Sequence, residues 1–160
     1  MNSTTLLHLN LLPGIGPATV QRLLQADLHK PAILDLQNLG LSFSVAQTVA
    51  KGLADTALLE QELNLIAQYG VGVITIADPD YPPLLRNIHL PPPVLYYLGA
   101  RPTVTPAIAI VGSRKANSYG HMAINKLVPP LIAAGLTIVS GGAAGWGSRH
   151  RVGAWWQAVA

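Results

Sequence analysis

Residues 107–145 read AIAIVGSRKANSYGHMAINKLVPPLIAAGLTIVSGGAAG and decide the predicted fold. The stretch from Ala107 to Val111 is a continuous apolar run, which is the pattern of a strand buried on both faces. Apolar residues then recur at helical spacing, at Ile124, Leu127, Val128, Leu131 and Ile132. Gly135 is placed to end that helix, and a second apolar strand follows from Leu136 to Val139. The stretch therefore predicts a strand–helix–strand unit with parallel strands.

A small polar loop follows each predicted strand. The first contains Gly112-Ser113-Arg114, and the second is Ser140-Gly141-Gly142-Ala143-Ala144-Gly145. Parallel strands bring both loops to one edge of the sheet, where ligands of open α/β sheets bind. Glycines let backbone N–H groups approach an anion closely, and the guanidinium of Arg114 suits a phosphate. The loops therefore predict a phosphate site, with glycines that only form tight turns as the alternative. A Gly-x-Gly-x-x-Gly motif is absent, which argues against a nicotinamide cofactor.

Length and composition limit the class of protein. The 160 residues fit one ordinary domain or two small ones, and half of them are apolar. No run of about 20 apolar residues is present, so we expect no membrane span. The N-terminus lacks the basic region of a signal peptide, and without cysteine no disulfide or thiolate metal site can form. A cytoplasmic location is the default expectation.

Charge is divided unequally along the chain. Residues 1–80 carry three Lys or Arg and seven Asp or Glu, a net charge of −4, whereas residues 81–160 carry seven Lys or Arg and no acid. A basic half beside an acidic half indicates a nucleic acid or another polyanion as the partner of the basic half. The absence of carboxylates from that half argues against paired-carboxylate catalysis and against a carboxylate-held metal there.

Residues 1–70 predict a compact helical domain. We expect helices over about 3–11, 18–24, 33–39, 45–53 and 56–69. The expected caps are Ser3 for the first helix, Ser42 or Ser44 for the fourth, and Asp55 for the fifth, which Gly70 ends. One face of the fifth helix is expected to be apolar through Leu58, Leu59, Leu63, Ile66 and Ala67.

The turn between the first two helices reads Leu12-Pro13-Gly14-Ile15-Gly16-Pro17. It resembles the helix-hairpin-helix motif of DNA-binding proteins, in which Gly14 and Gly16 would offer backbone N–H groups to a phosphate. The lysine often found just after such a turn is missing, and only Arg22 lies one turn further on. A secondary DNA contact and a purely structural hairpin are both open interpretations.

Residues 71–98 predict two strands around a proline-rich segment. Val71 to Ile76 and Val94 to Leu98 are strand-like. Leu84, Leu85 and Ile88 are expected to be apolar anchors between them. The tyrosines at 81, 96 and 97 are expected in the core rather than as base-stacking groups.

Four stretches together resemble the DNA-processing protein A family (DprA, also called Smf). They are LPGIGPATVQRLL, YPPLLRNIHLPPPVLYYLG, AIVGSRKANSYG and GLTIVSGGAAG, and their order and spacing fit as well as their content. The resemblance implies a sterile-alpha-motif-like helical domain over residues 1–70 and a Rossmann-like α/β domain over 71–160, hence a chain of the α+β or α/β class. It implies binding of single-stranded DNA and loading of a RecA-type recombinase during natural transformation. It implies no catalytic residue, metal or cofactor.

The family's DNA-phosphate pocket can be carried over by position onto the two loops. The residues implied are Gly112, Ser113, Arg114, Ser140, Gly141, Gly142 and Gly145. Lys115 is expected as a peripheral contact, and His121 as a solvated helix residue.

Two features depart from the family pattern. Pro129-Pro130 inside the crossover helix predicts a kink or break near Val128. After Gly145 the family continues Gly-Ile-Asp and then Ala-His-Arg, whereas this chain places all three of its tryptophans in residues 146–156. Codons for Ala154 to Ala158, read from the last base of the first codon, give Leu/Met/Val-Val-Ala-Gly/Ser, close to the family's Leu-x-Ala-Gly. We therefore expect a frameshifted tail over 146–160, a truncated Rossmann-like domain and loss of the family's homodimer.

Two other classes of protein are alternatives. A Rossmann-like phosphoribohydrolase acting on a nucleotide would use a similar glycine loop, but it needs a carboxylate near the sugar, and none follows Asp80. The other alternative is an inert product of a degraded gene.

Overall fold

The computed structural model describes residues 1–26, 32–102, 106–111, 117–140 and 158–159. The chain divides into two compact units, Met1–Tyr96 and Tyr97–Ala160. The helices are α1 (Ser3–Leu11), α2 (Pro17–Gln25), α3 (Ile33–Asn38), α4 (Phe43–Ala54), α5 (Ala57–Tyr69), α6 (Pro83–Arg86) and α7 (Ser118–Ala133). The strands are β1 (Gly72–Thr75), β2 (Val94–Tyr97), β3 (Ala107–Ala109), β4 (Thr137–Val139) and β5 (Ala158–Val159). Helices combine with two small sheets, one of β1 and β2 and one ordered β3–β4–β5, so the predicted mixed α and β class is confirmed.

Helix α1 lies within the core of the first unit. Leu6, Leu7 and Leu9 are all buried, as is His8, whose Nε2 lies 3.0 Å from the carbonyl oxygen of Asp55. Because four successive residues are buried, the helix is covered on nearly every side along that stretch.

The cap of α1 differs from the predicted one. Asn2 is the N-cap, and its Oδ1 accepts a hydrogen bond of 2.8 Å from the Thr5 N–H. The prediction that Ser3 caps this helix is therefore wrong. Ser3 is the first helical residue, and its hydroxyl instead donates to Asp78 Oδ1 at 2.9 Å.

The remaining helices of this unit begin and end close to the predicted residues. Ser42 caps α4 by accepting from the Val45 N–H at 3.3 Å. The N-cap of α5 is Thr56 rather than the predicted Asp55, although Asp55 Oδ1 accepts from the Ala57 N–H at the start of that helix. Gly70 ends α5 in the left-handed conformation, as predicted. The core combines these helices through side chains that are buried together, namely Leu6, Leu9, Val20, Leu23, Leu36, Ala46, Val49, Leu59 and Val94.

A polar cluster joins the start of α1 to the turn after β1. The carboxylate of Asp78 accepts from the Thr75 N–H at 2.6 Å and lies within hydrogen-bond distance of the Ser3 and Thr75 hydroxyls. Arg86 donates to the carbonyl oxygens of Ile76 and Asp78, at 2.7 and 2.9 Å. These bonds satisfy a buried threonine and close the turn that separates β1 from α6.

Two tyrosines of this unit behave as core residues. Tyr81 is fully buried, as predicted, and its hydroxyl donates to the Pro92 carbonyl oxygen at 2.8 Å. Burial raises the pKa of Tyr81 to about 12, although the neighbouring Arg86 guanidinium acts in the opposite direction. Burial, followed by a hydrogen bond with Glu62, also raises the pKa of Tyr96.

Two apolar predictions for this unit are wrong. Leu84 was expected to be an anchor, but it is 80% exposed and Ile88 is also exposed. Leu84 belongs to α6, which is a single turn with no buried residue, and Ile88 lies just beyond its end. On α5 the predicted apolar face is likewise only partly buried, because Leu59 is covered whereas Leu58 and Leu63 are exposed.

The second unit contains the predicted strand–helix–strand arrangement. Strands β3 and β4 pair in parallel, with Ala107 opposite Thr137 and Ala109 opposite Val139. Helix α7 connects them, and Gly135, at φ 80°, ends it as predicted. The N–H of Leu136 donates to the carbonyl oxygen of Leu131, which is the bond of a glycine-ended helix.

Three details of this unit differ from the predictions. Helix α7 is continuous from Ser118 to Ala133, with Pro129 and Pro130 inside it, so it has no break near Val128, whereas a kink there stays a prediction. Strand β3 is exposed rather than buried on both faces, with all three residues exposed and Ile108 38% exposed, because α7 packs mainly on β4. Within the tail, β5 pairs antiparallel with β4, although no strand was predicted there.

None of the described helices combines the length and apolar character that a membrane span requires.

Candidate nucleic-acid interface

The carboxyl ends of β3 and β4 lie side by side. Ala109 is opposite Val139, and one residue further on the Ile110 N–H donates to the Val139 carbonyl oxygen at 2.8 Å. The chain therefore leaves the sheet at Val111 and at Ser140 from neighbouring strands that point the same way. The two polar loops begin at the same sheet edge, as the sequence predicted for parallel strands.

Most of the predicted phosphate-site residues lie outside the described part of the chain. They are Gly112, Ser113, Arg114 and Lys115 of the first loop and Gly141, Gly142 and Gly145 of the second. Ser140 is described: it directly follows β4 and is half-buried. Their grouping around a phosphate stays a prediction, and the described structure fixes the two points from which the loops depart.

The first loop is followed in sequence by helix α7. Asn117 is the N-cap of α7, and its Oδ1 accepts from the Gly120 N–H at 2.9 Å. This bond satisfies one of the N–H groups at the start of the helix and marks Asn117 as the residue where α7 begins. The first loop is therefore limited to the residues between Val111 and Asn117.

An exposed aromatic side chain stands close to the first loop in sequence and was not singled out in the sequence analysis. Tyr119 is in the first turn of α7, two residues after the cap, and is largely exposed. Exposed aromatic rings on acid-free surfaces are suited to stacking on unpaired bases. The available signal was an aromatic residue at the second helical position after a basic loop.

Not every described basic residue of residues 81–160 is available to bind DNA. Arg86 is held by the carbonyl oxygens of Ile76 and Asp78, and its guanidinium lies 5.2 Å from the centre of the Tyr81 ring. Lys126 is exposed on α7. Arg86 therefore has a structural role, and the net positive charge of residues 81–160 overstates what is available to DNA.

The glycine turn between α1 and α2 is open at its two glycines. Gly14 has φ 74°, Gly16 is the N-cap of α2, and no atom lies within 4 Å of the position that a Cβ would take on either. Arg22, however, donates from Nη1 to the Gly40 carbonyl oxygen at 3.1 Å, just past the end of α3. That bond gives Arg22 a role in holding the helices together, which favours the structural interpretation of this side chain.

No metal centre is found among the described ranges, where no group of three His, Asp or Glu side chains is arranged to hold an ion.

Comparison with known proteins identifies the family of the chain. A family model for DNA recombination-mediator protein A matches residues 72–155, which is more than half of the chain and includes ten residues of the tail predicted to be out of frame. Protein Smf of Synechocystis sp. is 46% identical over 77 residues, covering 45% of this chain and 19% of that protein. DNA processing protein DprA of Bacillus subtilis is 31% identical over 121 residues, covering 68% of this chain and 41% of that protein.

The chain thus spans less than half the length of these curated relatives. No solved structure matches it. The resemblance drawn from the four sequence stretches is confirmed, and the chain belongs to the DNA recombination-mediator protein A family.

Proposed function

We propose that this chain binds single-stranded DNA at the sheet edge where β3 and β4 end, and that it delivers the strand to a RecA-type recombinase in the cytoplasm during natural transformation. Its family is that of a recombination mediator, and the names of its relatives describe DNA processing. Binding and delivery require positioning of DNA, and no bond is made or broken by the protein.

One observation carries the proposal more than any other. The hydrogen bond from the Ile110 N–H to the Val139 carbonyl oxygen holds Ile110, two residues before Gly112, beside Val139, one residue before Ser140. Both loops depart from one edge, in a half of the chain that has no acid to repel phosphate. Such an edge is where open α/β sheets bind their ligands.

The roles of the loop residues follow from their chemistry. The glycines would let main-chain N–H groups approach the DNA backbone, and Arg114 would supply a guanidinium for a phosphate oxygen. Ser113 and Ser140 would add hydroxyl donors, with Lys115 at the periphery. Tyr119, exposed in the first turn of α7, would stack on a base.

The domain organisation is part of the same proposal. Residues 1–70 form a sterile-alpha-motif-like domain, with α1, α2 and the Gly14–Gly16 turn as a helix-hairpin-helix. Residues 71–160 form a Rossmann-like domain built on β3, α7 and β4. The family match begins at residue 72, which supports this division, whereas the compact helical unit extends to Tyr96 because β1 and β2 contribute to it.

The nucleotide-hydrolase alternative has less support. That chemistry needs a carboxylate to act near the sugar, and residues 81–160 contain no Asp or Glu. A nucleoside monophosphate should therefore compete poorly with an oligonucleotide and should not be hydrolysed.

The test is fluorescence anisotropy of a labelled oligo-dT titrated with the full chain at several salt concentrations. Arg114→Ala is expected to lower the affinity roughly tenfold, because it removes one charge-assisted bond worth about 1.5 kcal/mol or more. It should also reduce the slope of log affinity against log salt by about 1, since one fewer counterion is released.

The matched control is Lys126→Ala, which removes one positive charge from an exposed position on α7. It should change the affinity by less than about twofold, as the long-range charge is screened beyond roughly 10 Å at ordinary salt. Arg22→Ala should also leave DNA affinity nearly unchanged. Equal losses for Arg114→Ala and Lys126→Ala, or binding without salt dependence, would contradict the proposed site.

A further inference from the structure

Two large side chains are neighbours on the exposed side of α7, in its first two turns. Tyr119 is 72% exposed and Met122 is 61% exposed, and residues three apart in a helix lie next to each other on its surface. The buried residues of α7, Gly120 and Ile124, lie on the opposite side of the helix. We call the pair of Tyr119 and Met122 the α7 platform.

The α7 platform follows the first loop closely along the chain. Arg114 precedes the helix cap, Asn117, by three residues, and three residues of chain span at most about 11 Å. Tyr119 follows that cap by two residues. A nucleotide whose phosphate is held by Arg114, or its neighbour in the strand, therefore has its base within reach of the α7 platform.

The chemistry of the α7 platform suits a base better than a phosphate. A tyrosine ring stacks on the face of any base that is free of a neighbour. The thioether of Met122 is flexible and polarisable, so it can pack against the edge of a base that lies on that ring. No acid occurs in residues 81–160 to repel the DNA backbone alongside. In a duplex the base faces are covered by adjacent base pairs, so duplex DNA gains nothing from this surface.

We propose, on the basis of the function proposed above, that the α7 platform makes this site selective for single-stranded over duplex DNA. The loops hold phosphate oxygens, which both forms of DNA present, whereas the platform holds a base, which only an unpaired strand offers. The two contributions are separable, because phosphate contacts depend on salt through released counterions and base stacking does not.

Fluorescence anisotropy with labelled oligo-dT and with a labelled duplex of equal phosphate number tests the proposal on the full chain. Tyr119→Ala should lower the affinity for oligo-dT about tenfold, through loss of one stacked base, and the affinity for the duplex by less than about twofold. The slope of log affinity against log salt should stay as in wild type, because no phosphate contact is lost. Met122→Ala should lower the affinity about threefold, again for oligo-dT alone.

Three controls separate stacking from other effects. Tyr119→Phe keeps the ring and should bind oligo-dT as wild type does. Tyr69→Ala removes an equally accessible tyrosine, 65% exposed on α5, and should leave both affinities unchanged. An abasic oligonucleotide of the same length should bind wild type more weakly than oligo-dT does, and this difference should shrink in Tyr119→Ala. Circular dichroism checks that each variant is folded.

The outcomes distinguish this proposal from the one on which it rests. If Arg114→Ala weakens binding of both forms of DNA but Tyr119→Ala binds oligo-dT like wild type, the phosphate site stands and the α7 platform is overturned. The α7 platform is also overturned if Tyr119→Ala weakens duplex binding as much as single-strand binding. If neither variant changes the affinity, the proposed phosphate site fails together with the platform.

Discussion

The first unit and the second unit carry equally apolar sequence but bury it very differently. In the first, Leu6, Leu9 and Leu36 are fully buried between helices. In the second, Ile108 on β3 is 38% exposed and Leu127 on α7 is 58% exposed. Among the described apolar residues of the second unit beyond Tyr97, only Ile124 and Ile138 reach the buried class.

The difference shows what an apolar run specifies. It determines that a segment is suited to a strand or a helix face, but burial depends on another element lying over it. Helix α1 is buried because α2, α4 and α5 surround it. Strand β3 has β4 beside it and exposed side chains, so the same kind of sequence contributes less to stability there.

The largest expected effect is a difference in stability loss between two leucine-to-alanine variants, one in each unit. Leu9→Ala should lower the free energy of unfolding of the helical unit by about 2–5 kcal/mol, because it empties a fully buried position. Leu127→Ala should cost less than about 1 kcal/mol, as more than half of that side chain is already in water. Urea denaturation followed by circular dichroism measures both, and similar costs for the two variants would remove the distinction.

A smaller effect concerns the tyrosines of the first unit at high pH. The pKa of Tyr81 is raised from 10 to about 12 by burial, so the unfolded chain ionises first. Its contribution to stability is fully present below pH 10 and is lost as the pH rises from 10 towards 12. The Tyr81→Phe variant should be about 1 kcal/mol less stable than wild type at neutral pH, because it lacks the hydrogen bond to Pro92. Between pH 10 and 12 its free energy of unfolding should fall less than that of wild type, because it has no Tyr81 hydroxyl to ionise.

Urea denaturation at both ends of that pH range provides the measurement. The pKa of Tyr96 is also raised, so the Tyr81→Phe variant should still lose some stability at alkaline pH. If the variant loses as much unfolding free energy as wild type between pH 10 and 12, the pKa of Tyr81 is not raised by burial.

The order of the helices and strands could be predicted because local signals determine it. Gly70 and Gly135 end their helices, Ser42 caps α4, and Pro17 begins α2, each through contacts within a few residues. The cap of α1 was missed by one residue, since Asn2 and Ser3 are both good caps and the choice depends on Asp78, which is 75 residues away. Propensity alone could not decide it.

The continuity of α7 and the exposure of Leu84 could not be predicted for a related reason. Pro129 and Pro130 disfavour a helix locally, but α7 packs against β4, and half-buried apolar residues continue beyond the pair at Leu131 and Ile132. Tertiary packing outweighs a local preference in such cases. The exposure of Leu84 could not be predicted because a one-turn helix is too short for a periodic pattern to show which side faces the core.

For the candidate site, the sequence predicted the arrangement of the loops but not the partners of its arginines. That β3 and β4 are parallel follows from a helix joining two apolar strands, and the structure confirms it. That Arg22 bonds to Gly40 and Arg86 to Ile76 and Asp78 depends on long-range packing. Counting positive charges therefore indicates a polyanion partner without identifying the residues that contact it.

The most direct test of the proposed DNA interface is hydrogen exchange of the full chain, measured by mass spectrometry with and without saturating oligo-dT. The account predicts slower exchange on binding in peptides that cover residues 110–120 and 138–145, where the two loops leave β3 and β4. It predicts no change in peptides covering residues 12–26, which contain the Gly14–Gly16 turn and Arg22. DNA-dependent protection confined to residues 12–26, or bound DNA with no protection at either loop, would contradict the central claim.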